Sequence, residues 1–179
     1  GLIFMLRSLG VAFNEVVVAL LDEPLSARSL QRFTLLLSTT TTVILLLVAG
    51  TPLSGVWFQQ VSALSPNLAQ MARLGLWLAL PLPALNVIQS WFQGVILHGR
   101  RTRGITEAVV IYLLTSAIVL GAGVAWNQIS GLYVGLAALS ISMLTQTMWL
   151  WQRSRSPVQA VLRRDEKSLT FAGIEAEQI

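Results

Sequence analysis

The sequence has no cysteine and one histidine, His98. The first absence excludes a disulfide framework and thiolate metal ligation, and the second excludes a multi-histidine site, so no metal centre is expected. Charge is scarce too. Charged residues make up 11% of the chain, less than half of the roughly 25% usual in soluble domains. No G-x-x-x-x-G-K-S/T phosphate loop, H-E-x-x-H pair or G-x-S-x-G elbow occurs, which argues against ATP hydrolysis and against an enzyme. An initiator methionine and a positively charged leader region are also lacking. The chain opens inside an apolar run, Gly1-Leu2-Ile3-Phe4-Met5-Leu6, and the expectation is a segment from the C-terminal part of a larger protein.

What is abundant is hydrophobicity: 54% of residues are hydrophobic and the mean hydropathy is +0.69. A spanning helix needs roughly 20 mostly apolar residues to cross ~30 Å of hydrocarbon. Such stretches lie at about 1–21, 33–51, 70–98, 105–126 and 130–151. The expected fold class is therefore an all-α membrane protein of about five transmembrane helices, with a bundle over 1–151 and a basic, polar tail over 152–179. Thr51-Pro52 ends the second stretch, because proline cannot continue a helix there. Ser65 and Pro66 form an N-cap and first helical position ahead of the third. Continued from Pro66 to Leu97, that helix is about 48 Å long, so it is expected to enter the outer interface or to bend at Pro81 and Pro83.

The net charge of +4 suggests nucleic acid only until the charges are located. Arg28 and Arg32 fall between the first two stretches; Arg100, Arg101 and Arg103 fall between the third and fourth. Arg153, Arg155, Arg163, Arg164 and Lys167 follow the fifth. Five spans put all three groups on one side, which the positive-inside rule makes cytoplasmic. The opposite loops, about 52–69 and 127–129, carry no charge, and only Arg73 lies near that face. The expected location is the cell (inner) membrane, multi-pass, with a cytoplasmic C-terminus in a partly disordered tail. No nucleic-acid partner is implied.

Polar groups inside the spans mark candidate functional positions, since ionisable side chains there normally face a bundle interior or an aqueous cavity. Arg7 and Asn14 are seven residues apart and nearly share a face, with Glu15 about 80° round from Arg7. On a transport reading Glu15 titrates and Arg7 contacts an anion; the alternatives are a structural ion pair or Arg7 snorkelling outward. Asn86, Gln89 and Gln93 line one face of the third span and either bond neighbouring helices or line a solute cavity. Pro81 and Pro83 make a kink that is static or a hinge. Glu107 reads as an ion pair with Arg103 at a helix N-terminus, and Gly131 with Gly135 as a close-packing pair. Trp91, well inside the third span, is a candidate cavity residue.

Several local patterns then suggest a family. Gln31-Arg32-Phe33-Thr34 enters the second span and Thr51-Pro52 leaves it; Pro81-x-Pro83, the Gln89 to Gly94 stretch, Gly99-Arg100-Arg101-Thr102, and Gly131 with Gly135 follow in order. From about Leu30 to Arg153 the chain resembles the C-terminal half of MATE-like exporters of the multidrug/oligosaccharidyl-lipid/polysaccharide superfamily, and most of all the progressive ankylosis family. Arg7, Gly10, Asn14 and Glu15 look like part of a preceding exporter helix. The resemblance implies helices eight to twelve of a twelve-helix transporter built of two six-helix bundles. The missing N-terminal bundle of the same chain, the lipid bilayer and a small-molecule solute are the implied partners. No anion-binding motif is shared residue by residue.

The function expected from residues and resemblance together is secondary, ion-coupled export of a small organic or anionic solute by alternating access. No cofactor is implied beyond a coupling ion, H+ or Na+. A lipid-linked saccharide flippase and a non-transporting membrane scaffold are the competing classes. The orientation is directly testable in a chain that has no native cysteine. A membrane-impermeant maleimide on intact cells should label Gln59→Cys, and should label Arg163→Cys only after permeabilisation. The reverse pattern would invert the topology.

Overall fold

Along the second helix, the buried stripe is Ala27, Leu30, Thr34, Ser38, Thr41, Leu45 and Ala49, while Phe33, Leu35, Leu36, Leu46 and Leu47 are exposed. Five of the seven inward residues are small or hydroxylated, whereas large apolar ones also face outward. That is the reverse of a soluble helix and the pattern of helices packing in lipid. The inward hydroxyls bond the preceding turn: Thr34 Oγ1 donates to Leu30 O at 2.7 Å and Thr41 Oγ1 to Leu37 O at 2.9 Å. No buried hydroxyl in those two residues is left needing water.

The computed structural model describes residues 2–23, 26–100, 102–126 and 130–177. Gly1, Arg101 and the expected 127–129 loop lie outside them. The described residues form helices without a strand: α1 (Leu2–Leu20), α2 (Ser26–Gly50), α3 (Leu53–Val56) running into a π-helical turn (Trp57–Val61), α4 (Pro66–Ala79), α5 (Pro81–His98), α6 (Arg103–Trp126) and α7 (Gly131–Glu177). With α4 and α5 taken as one span, five helices are long and apolar enough to cross a membrane.

α5 is the central element, packed against α1, α2 and α7, while α6 lies outermost and rests on α7. Burial follows that order: 39% of the best apolar window in Pro66–His98 is buried, against 6% in α6. Close approach of α1 to α5 depends on two glycines. Val17 occupies the place where a Cβ on Gly94 would stand, and the Asn86 side chain occupies that place over Gly10. Gly131 and Gly135, the expected close-packing pair, meet nothing there. Sequence spacing identifies a smooth helix surface, but not whether a neighbour covers it.

Of two further expectations, one is met and one changes. The helix breaks at Leu80, between α4 and Pro81, yet Leu80 keeps helical dihedrals (φ −49°, ψ −42°). This is a break in the helical hydrogen-bond pattern without unwinding. The polar tail expected to be partly disordered continues α7 as a helix to Glu177, with Pro157 inside it. Its apolar stripe explains the order, because Val158, Val161 and Leu162 pack on the core formed by Phe13, Val17, Leu21, Ala27 and Leu30. Trp91 sits in that core at 5% exposure, so it packs against protein rather than facing a cavity.

Replacing Gly94 with leucine should lower stability by about 1–3 kcal/mol through overpacking against Val17. Gly131→Leu and Gly135→Leu should stay within about 0.5 kcal/mol. Thermal unfolding of the detergent-solubilised protein separates the cases, and equal effects at all three positions would contradict the packing described.

Candidate functional site: the polar face of the first helix and its supports

Buried positions on α1 recur at Leu6, Gly10, Phe13 and Val17, followed by Leu21 just beyond the helix end. Arg7 and Asn14 flank this stripe and are half-buried; Glu15 lies round the helix and is exposed. The five ion pairs among the described residues include neither Arg7 nor Glu15. Asn14 Oδ1 is buried with no hydrogen-bond partner and points towards Gly94, where a Cβ would come within 3.6 Å of it. Arg7, Asn14 and Glu15 thus border a side of α1 that the chain's other helices leave uncovered.

The α5 amides are placed differently from one another. Asn86 Nδ2 donates to Arg7 O at 2.7 Å, and Ser90 Oγ donates to Gly10 O at 2.6 Å. Gln89 turns the other way: its Nε2 donates to Met143 O at 3.1 Å and Thr147 Oγ1 at 2.9 Å, both on α7. Asn86 and Gln89 therefore hold α1 and α7 to α5, and in this conformation neither lines an open cavity. Only Gln93 of the expected three is half-buried without a hydrogen bond among the described residues.

The kink carries a support that spacing did not reveal. Pro81 and Pro83 have no N–H, so Trp77 O and Ala79 O lose the partners a continuous helix would give them. Leu80 N–H donates to Trp77 O at 3.4 Å, and Ser140 Oγ of α7 adds a bond to the neighbouring Leu78 O at 2.8 Å. Ala79, Leu82 and Met143 pack around it. Pro81 and Pro83 accordingly sit in a braced kink.

A second unforeseen feature lies at the end where α1 turns into α2. Arg164 Nη1 donates to Leu21 O at 2.9 Å and its Nη2 to Glu23 O at 3.1 Å. Asp165, 2% exposed, accepts from Ala27 N–H at 3.0 Å through Oδ2, and Arg164 reaches its Oδ1. A cation thus meets the carbonyl end of α1 and an anion the N–H end of α2, each matched to the local helix dipole. His98 lies 3.3 Å from Asp22 and Arg28 2.8 Å from Glu166 at the same end. The α1–α2 turn, the end of α5 and the extension of α7 are gathered there. The signal in the sequence was Val158, Val161, Leu162 and Asp165 at helical spacing, obscured by the surrounding charges.

Comparison of the chain with protein-family models, with curated proteins and with solved structures gives no match. The functional reading therefore rests on the chain's own residues.

Asp165→Ala leaves Ala27 N–H without its acceptor and should cost about 1–3 kcal/mol, with faster amide hydrogen exchange at Ala27. Arg163→Ala, at an exposed neighbouring position, should stay within about 0.5 kcal/mol. Unchanged stability and exchange in the Asp165 variant would remove the proposed clamp.

Proposed function

We propose that this chain belongs to a multi-pass transporter of the cell (inner) membrane. Its activity is secondary, H+- or Na+-coupled export of a small organic or anionic solute by alternating access. The observation that carries this reading is the uncovered side of α1. Glu15 lies about 8 Å along the helix from Leu20, within an apolar span, exposed and without an ionic partner among the described residues.

A carboxylate facing hydrocarbon at that depth costs at least a few kcal/mol. A protein surface or an aqueous cavity facing it removes that cost. Arg7 and Asn14, both half-buried, border the same side, so the arrangement supports a solute and ion pathway with its other wall supplied by a second helical bundle. In this scheme Glu15 couples the ion, Arg7 attracts an anionic group, and Asn14 and Gln93 line the path. Asn86 and Gln89 support the helices that form it, and the Pro81–Pro83 kink is where the outer half pivots. The basic loops support a cytoplasmic position for the Arg164–Asp165 end, and with it the C-terminus.

The scaffold reading draws on one observation, that Asn86 and Gln89 are consumed by helix packing. A scaffold would bury the side of α1 permanently against a partner.

With the intact transporter in proteoliposomes, Glu15→Gln should abolish export driven by a pH or sodium gradient while insertion is unchanged. Wild-type transport by that variant would remove Glu15 from coupling. Asn14→Cys and Glu15→Cys should react with an aqueous thiol reagent in the membrane, whereas Asn86→Cys and Gln89→Cys should react far more slowly. Inertness of both α1 positions would favour the scaffold.

A further inference from the structure

A cavity of about 400 Å³ opens between the α5–α6 turn and α7, at the same end as the Arg164–Asp165 clamp. Arg100, Arg103, Glu107 and Arg153 line it together with Ile96 and Pro157. Three guanidinium groups against one carboxylate leave it positive. Glu107 organises two of them: Oε1 lies 3.4 Å from Arg103 Nε, and Oε2 lies 2.5 Å from Arg153 Nη2. Arg153 is also held over the Trp149 ring, 5.2 Å from its centroid. Arg100, turned by its positive φ of 52°, makes no ion pair among the described residues. α6 begins at Arg103, so the positive end of its dipole adds to the field.

A second hollow of about 400 Å³ shares Arg103 and Glu107 with the first and continues between α6 and α7 along Val110, Ile111 and Trp149. Val110 and Ile111 lie about 10–12 Å further along α6 than Arg103. A cationic chamber at the end of the bundle therefore leads into an apolar groove at acyl-chain depth. An inorganic anion would use only the first half of this arrangement.

We propose that the two hollows together bind one anionic phospholipid. Its phosphate sits between Arg100, Arg103 and Arg153, and one acyl chain lies along Val110 and Ile111. The lipid joins α6, which rests almost wholly on α7, to the end of α5. Basic pockets between membrane helices select anionic headgroups by this chemistry. The inference rests on the membrane-spanning reading above.

Native mass spectrometry of the full chain from mild detergent, titrated with phosphatidylglycerol and with phosphatidylcholine of the same chains, tests it. Phosphatidylglycerol should bind about tenfold tighter or more. Arg100→Gln should weaken it about fivefold with unchanged thermal stability. The triple variant Arg100→Gln, Arg103→Gln, Arg153→Gln should abolish the preference. A charge-matched control, Arg155→Gln, Arg163→Gln, Lys167→Gln, should retain it. Equal binding of the two lipids, or equal loss in both triple variants, would overturn the site. Displacement of phosphatidylglycerol by millimolar inorganic phosphate, with Val110→Trp having no effect, would overturn the lipid in favour of a free-anion pocket. A chain that stays monodisperse without detergent would instead overturn the membrane-spanning reading.

Discussion

An amide side chain in hydrocarbon must find a partner, because an unmatched one costs several kcal/mol and no water is present to take its place. Most of this bundle follows from how α5 meets that requirement. Asn86, Ser90 and Gln89 all donate to main-chain carbonyls of neighbours, those of Arg7, Gly10 and Met143. A carbonyl already bonded within its own helix still has a free lone pair, so the donors add interhelical bonds without opening α1 or α7. The geometry demands close backbones, and Gly10 under Asn86 and Gly94 under Val17 provide them. Polar pairing and small-residue packing are thus one constraint expressed on two sides of the same interface.

At the Arg164–Asp165 end the same requirement is met by ions. Helix termini leave N–H and C=O groups unsatisfied, and the turn from α1 to α2 concentrates both kinds. Arg164 and Asp165, adjacent on α7, serve the two signs at once. Seating them requires α7 to continue beyond the bundle, and Val161 on the α1–α2 core supplies apolar contact for that extension. The basic segment after the fifth apolar stretch therefore closes the structure. Arg155, which stacks 3.9 Å over the Trp151 ring, shows a third use of the same charges.

The five long apolar helices were legible in the sequence because apolar length overwhelms every other signal at that scale. The break near Pro81 was legible because proline acts on backbone rather than on neighbours. Partner choice was not legible. Asn86 and Gln89 are three residues apart and share a broad face, yet about 60° of rotation is enough to send one to α1 and the other to α7. Gly131 and Gly135 carry the spacing of a close-packing pair, whereas Gly10 and Gly94 carry no motif and do the packing. The docking of the tail was hidden for a related reason: Asp165 reads as solvated until Ala27 N–H is placed 3.0 Å from it. Of the site, Arg7, Asn14 and Glu15 were legible as polar groups in an apolar helix, but not the separation of a flanking Arg7 and Asn14 from an exposed Glu15.

These supports also determine where motion can occur if the bundle transports. α1 is fastened along its length, to α5 through Arg7 and Gly10 and to Arg164 through Leu21. Moving it requires breaking the Asn86 and Ser90 hydrogen bonds within the apolar stretch, where no water replaces them, as well as the Arg164 contact. The kink is held differently. Leu78 O is secured by the single hydroxyl of Ser140, and Leu80 already has helical dihedrals on a segment with fewer internal hydrogen bonds. Bending there breaks that hydroxyl contact, which Ser140 recovers by bonding back to its own helix, and loosens the apolar packing of Ala79, Leu82 and Met143. Glu15 would then stay fixed relative to the basic end while α4 and the outer half tilt about Leu80, so access changes around a stationary ion-coupling group.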